Sequence, residues 1–139
     1  MPVRDTYHYV AKTAIEKDGW SITHDPYRLK LARGKNLFVD LGAERLIAAE
    51  REREKIALEI KSFRRISEIR DLEEALGQYI LYQTLLDRYD PERELYLAIP
   101  EEIRESIFEE EAGAILLEKR LIQLVTFDII EEEIVSWIR

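Results

Sequence analysis

The stretch from Lys55 to Pro100 reads strand, long helix, strand, and it decides the fold class. In "KIALEIKSF", Leu58 and Ile60 alternate with Glu59 and Lys61, the period of two of an extended chain. Ser67 then offers a helix N-cap. Glu68, Asp71, Glu73 and Glu74 suit the positive end of a helix running to about Arg88. "ELYLAIP" is apolar without alternation, as in a strand buried on both faces, and Pro100 closes it. The expected architecture is one α/β domain over residues 1–139, a mixed central sheet with helices against its faces.

The flanking segments fit that plan. Tyr9, Val10, Ala14 and Ile15 recur at helical spacing between Asp5 and about Lys17, and Gly19 supplies a left-handed stop. "WSITHDP" and "YRLKLA" read as short strands broken at Asp25-Pro26, and "RGKN" as a turn. "LFVDLGA" reads as one strand, with Leu37, Val39 and Leu41 on one side and Phe38 and Asp40 on the other. The segment after it is a loop or a helical turn, and "REREK" a solvated segment. "EEIRESIFEE" and "AGAILLEKR" are short helical pieces; "LIQLVTFD" and "EIVSWIR" are strands around a turn near Asp128.

Cysteine is absent, which removes disulfides, thiolate nucleophiles and cysteine metal sites. No run approaches the ~18 apolar residues of a membrane span, and "MPVRDTYHYV" lacks the apolar core of a signal peptide. The expectation is therefore a cytoplasmic protein with no membrane partner. The net charge of −8 is unevenly spread: residues 1–65 carry 14 basic against 10 acidic side chains, residues 66–139 carry 7 against 19. Either one side faces a polyanion and the other does not, or the charges of a solvated surface merely segregate.

Asp40, followed 19 residues later by Glu59-x-Lys61, is the constellation with chemistry in it. Hard cations such as Mg²⁺ or Mn²⁺ take one or two carboxylates plus water and substrate phosphate. Asp40, Glu59 and the main-chain carbonyl of Ile60 supply such oxygens, and Lys61 supplies charge to orient water or neutralise phosphate. The competing reading of the same strand is a half-exposed surface with an ion pair. Gln78 and Tyr82 fall four apart on one face of the following helix, either supporting that site or packing as core and neighbour. Asp5 and Glu16 are the acidic residues of the first helical segment and His8 its histidine. His8 is either a ligand or proton carrier, or an ordinary histidine of an amphipathic helix. Arg28, Lys30, Arg33 and Lys35 either track phosphates or guard an exposed hairpin edge. No Ser in a nucleophile elbow and no Gly-rich phosphate loop accompanies these residues.

The spacing Asp40…Glu59-x-Lys61 on strand, strand, helix resembles the PD-(D/E)xK nuclease superfamily, although Val39 stands where its name has proline. That likeness implies a restriction-endonuclease-like sandwich, and "GQYILYQ" resembles the Gln-x-x-x-Tyr element of its recombination-associated members. Across nearly the whole chain, "YHYVAKTAIEKDGWSITHDPYRLKL", "FVDLGAERLIAAE", "IALEIKSF", "DLEEALGQYILY" and "LYLAIPEEI" are similar to the XisH family, the fdxN element excision controlling factors. That resemblance implies a role in developmentally regulated excision of a DNA element in cyanobacteria, beside a site-specific recombinase and a companion protein, XisI. Two functions follow. One is an endonuclease-like protein whose catalytic set is Asp40, Glu59, Lys61, Gln78 and Tyr82, with metal on Asp40, Glu59 and Ile60. The other is a non-catalytic regulatory module that recruits XisI or the recombinase. The superfamily likeness implies a homodimer, and the acidic C-terminal half offers steering charge for a protein partner, for which the XisH resemblance names XisI.

Overall fold

In a computed structural model, residues 4–47, 52–63 and 67–139 are described, and they form a mixed sheet with helices on both faces. The elements are α1 (His8–Lys17), β1 (Ser21–His24), β2 (Tyr27–Lys30), β3 (Asn36–Val39), β4 (Leu41–Ile47), β5 (Glu52–Ile60), α2 (Glu68–Tyr89), β6 (Arg93–Pro100), α3 (Glu101–Ser106), α4 (Glu111–Glu118), β7 (Leu124–Asp128) and β8 (Glu133–Ile138). Strand order in the six-stranded sheet is β1-β4-β5-β6-β7-β8, while β2 and β3 make a separate two-stranded sheet. β5, β6 and β7 run parallel and the remaining pairs antiparallel. Among the described residues no helix is long and apolar enough to cross a membrane.

Two cores sandwich the sheet, and β6 feeds both. Leu95, Leu97 and Ile99 pack with Leu72, Ala75, Tyr79, Tyr82 and Leu86 of α2, whereas Tyr96 and Ala98 pack with Ala11, Ala14 and Ile15 of α1. This double burial is why the "LYLAIP" segment carries no polar alternation. On β5, Leu58 and Ile60 join the α1 core while Ala57 joins the α2 core, so Glu59 points to the α2 side. Ser67 caps α2, its hydroxyl accepting from the Arg70 amide at 3.4 Å.

Three local expectations need correction. "LFVDLGA" is not one strand: the chain leaves the small sheet at Val39 and enters the large one at Leu41. Val39 accordingly sits in the α2 core and Leu41 in the α1 core, on opposite sides rather than the same one. Residues 44–47 are strand instead of loop or helical turn, and Glu52 to Lys55 of the charged "REREK" segment open β5; residues 48–51 of that region lie outside the described residues. Finally, α1 begins at His8 and not at Asp5, because the Asp5 side chain accepts from the Tyr7 amide at 2.9 Å and holds a turn ahead of the helix.

Candidate functional site

The break at Asp40 builds the site. Antiparallel register pairs Leu41 with Leu58, so one step further along the ladder sets Asp40 opposite Glu59. There the chain turns away toward β3, and the two acids meet at an open ladder end. The Asp40 amide donates to Glu59 Oε1 at 3.3 Å, and the Ile60 amide donates to Asp40 Oδ2 at 2.8 Å. In an extended strand a residue's N–H and C=O leave by the same edge. The Ile60 carbonyl therefore faces the edge on which Asp40 sits.

Asp40, Glu59, Ile60, Lys61, Gln78 and Tyr82 all line one cavity of about 200 Å³, together with Arg4, Asp5 and Phe38. The residues singled out on β5 and α2 thus converge, because Gln78 and Tyr82 lie four apart on the α2 face above Glu59. Glu59 is only 6% exposed. Lys61 follows the end of β5, its amide still pairing with the Ala98 carbonyl at 3.0 Å, and its ammonium lies 3.9 Å from Glu74. Gln78 Oε1 is buried without a hydrogen-bond partner.

Burial, then the charge of Asp40, pushes the Glu59 carboxyl well above the usual glutamate range; Lys61 opposes the shift only in part. Burial and the same two carboxylates hold the Tyr82 hydroxyl protonated, far above its ordinary value. The raised Glu59 has a consequence for stability. Unfolded, this carboxyl titrates near 4.5. Folded, it binds its proton more tightly, so its contribution is fully present below that value and declines as pH rises toward the folded pKa. Glu59→Gln is therefore expected to leave the metal-free protein unchanged near about pH 4 and to stabilise it by about 1–3 kcal/mol near about pH 8. Urea unfolding at both pH values checks this, and a constant difference across pH would refute it.

The acids and the histidine in and just ahead of α1 are engaged in other contacts or stand clear of the acid pair. Asp5 lines the cavity, but both its oxygens accept from main-chain amides, of Tyr7 at 2.9 Å and Ser62 at 3.0 Å, tying the N-terminal segment to the end of β5. His8 is buried away from the cavity, its Nε2 2.8 Å from Asp25 Oδ1. Burial alone would raise the Asp25 pKa, but hydrogen bonds from Lys12, Arg4 and His8 hold it down to about 2. Glu16 is exposed near the end of α1 and takes no part in the cavity. Arg4 and Phe38 were not singled out from sequence; no local pattern marks an arginine ahead of a helix or a phenylalanine on a hairpin.

Two carboxylates, a main-chain carbonyl and an unpaired buried amide oxygen form an oxygen-rich set that suits a hard divalent cation. Among the described residues no group of three or more His, Cys, Asp or Glu side chains could hold a metal, so the set rests on the acid pair alone.

The chain matches the family model described as XisH protein over residues 1–135. It is similar to the crystal structure of an XisH family protein from Nostoc punctiforme PCC 73102, with 40% identity, 97% of this chain and 100% of that one covered, and a TM-score of 0.85. It is also similar to that of an fdxN element excision controlling factor protein from Anabaena variabilis, with 36% identity, coverage of 98% and 100%, and a TM-score of 0.86. No curated protein gives a significant match. Family model and full-length structural likeness agree: this chain belongs to the XisH family.

Proposed function

We propose that the chain is a factor in the controlled excision of a DNA element and carries a PD-(D/E)xK endonuclease-like site on a restriction-endonuclease-like fold. The observation that carries this reading is the Asp40–Glu59 pair at the open end of the β4–β5 ladder, where burial and the neighbouring Asp40 charge keep Glu59 protonated well above the usual glutamate range, a cost that a bound cation would relieve. Asp40, Glu59 and the Ile60 carbonyl would hold Mg²⁺ or Mn²⁺, which when bound polarises phosphate and acidifies water. Lys61 places a positive charge beside the scissile phosphate and orients the attacking water. Tyr82, kept protonated by its surroundings, donates to the carboxylates or the phosphate, and Gln78 offers an acceptor to water in the cavity.

The test is incubation with supercoiled, branched and single-stranded DNA, with and without Mg²⁺ or Mn²⁺, beside Glu59→Ala. Metal-dependent cleavage that the variant loses supports the proposal. No cleavage, and identical calorimetric heats of metal binding for wild type and Asp40→Asn, would remove it.

The alternative, a non-catalytic module that recruits XisI or the recombinase, is favoured by the acidic surface of α3 and α4, where Glu102, Glu105, Glu109, Glu110 and Glu111 are exposed. Such a surface steers a basic protein partner rather than DNA. This reading expects a symmetric dimer and a complex with XisI whose association rate falls as salt rises. Sedimentation as a monomer at tens of micromolar, with no co-migration with XisI at low salt, would exclude it.

A further inference from the structure

The β2–β3 hairpin presents a face that neither core uses. Cross-strand partners in an antiparallel pair share a side. Tyr27 pairs with Val39 and Leu29 with Leu37, and these turn toward the α2 core; Arg28 pairs with Phe38 and Lys30 with Asn36, and these turn outward. The outer face is cationic without compensation. From Pro26 to Val39 the sequence has four basic residues and no acidic one, in a chain of net charge −8. Arg28, Lys30, Arg33 and Lys35 are all exposed, and none is ion-paired with another described residue.

Phe38 joins this face to the acid pair. It is half-buried, belongs to neither core cluster, and lines the cavity beside Asp40, Glu59 and Lys61. Its cross-strand neighbour on the same face is Arg28. An aromatic ring left out of the core, flanked by arginine at the rim of a cavity, has the composition of a base-stacking platform beside a phosphate track. A paired base must leave its stack to lie on such a ring, which costs a few kcal/mol. An unpaired base pays no such cost.

We propose that the outer face of the β2–β3 hairpin binds single-stranded DNA. A base stacks on Phe38, the backbone follows Arg28, Lys30 and the turn cations Arg33 and Lys35, and the adjoining phosphodiester enters the cavity at Asp40 and Glu59. The inference rests on the phosphodiester reading of that cavity and adds its substrate class and the side from which the strand enters.

Fluorescence anisotropy in EDTA tests it, so that no cleavage is required. The probes are labelled oligo-dT of about 20 nucleotides, the same strand annealed to oligo-dA, and oligo-rU of equal length. Oligo-dT is expected to bind about tenfold more tightly than the duplex, and Phe38→Leu, which keeps an apolar side chain at the rim, to lose about that tenfold on oligo-dT alone. The double variant Arg28→Ser, Lys30→Ser alters only exposed positions and should reduce the log–log salt slope by about 1.4. Equal or tighter binding of duplex, tighter binding of oligo-rU, or an unchanged salt slope would overturn the proposal. Retained single-strand preference without metal-dependent cleavage would sink the endonuclease reading alone; cleavage without that preference would sink this inference alone.

Discussion

Replacing Lys61 by Ala is expected, on the endonuclease reading proposed above, to lower metal-dependent DNA cleavage by roughly a hundred- to a thousandfold, the usual cost of removing one preorganised group that stabilises transition-state charge. Stability should change by less than about 0.5 kcal/mol. The side chain emerges just past the end of β5, half-buried, with one loose ion pair to Glu74 at 3.9 Å, so little packing depends on it. Its position in the cavity beside Glu59 and Asp40 gives it a different weight in chemistry than in folding. Lys61→Arg retains the charge but spreads it over a planar fork, and should recover only part of the rate. Cleavage by Lys61→Ala at the wild-type rate, with Glu59→Ala inactive, would leave the carboxylates as the working groups and take Lys61 out of the site.

What the sequence disclosed and concealed here follows from which signals are local. The acid pair was legible because Asp40 and Glu59-x-Lys61 flank a short excursion of chain, and a strand fixes the side on which Glu59 and Lys61 emerge. Gln78 and Tyr82 were legible because helix spacing puts them together whatever the fold. The break at Asp40 was not, since alternation reads the same whether a chain continues in one sheet or passes into another. Gly42 marks the crossing only in three dimensions: a Cβ there would lie 3.1 Å from both His24 Nδ1 and Tyr27 Cδ2, where the two sheets approach. The start of β5 was hidden for another reason. Arg53 is exposed and Glu54 and Lys55 half-exposed, so the pairing with β4 is held by backbone hydrogen bonds without the apolar alternation that announces a strand. The double burial of β6, by contrast, is written in its composition.

Arg93 was also invisible in sequence, and its replacement by Met is expected to cost about 3–5 kcal/mol. Its guanidinium is 4% exposed and sits at the start of β6, at the end of the sheet opposite the acid pair. It donates to Asp90 Oδ2 at 2.9 Å and to the Ile56 carbonyl of β5 at 2.9 Å, and reaches the Ala43 carbonyl of β4 at 3.5 Å. The same group lies 4.5 Å from the centroid of the Tyr27 ring, whose hydroxyl donates to Asp90 at 2.7 Å. One buried cation thus clamps β4, β5 and β6 and seats the β2–β3 hairpin upon them. Methionine fills much of the volume but removes the guanidinium donor from two carbonyls and leaves Asp90 with the Tyr27 hydroxyl and no cation, and lysine cannot reproduce the planar fork. The loss should appear as a lower urea midpoint, with faster amide hydrogen exchange across residues 27–39 than across the α2 core. Because Asp40 directly follows that hairpin, a loosened hairpin releases one of the two carboxylates, so Arg93→Met should also weaken the metal binding proposed for that pair. A midpoint shift worth less than about 1 kcal/mol, or hairpin exchange at the wild-type rate, would show that the clamp does not hold the hairpin in place.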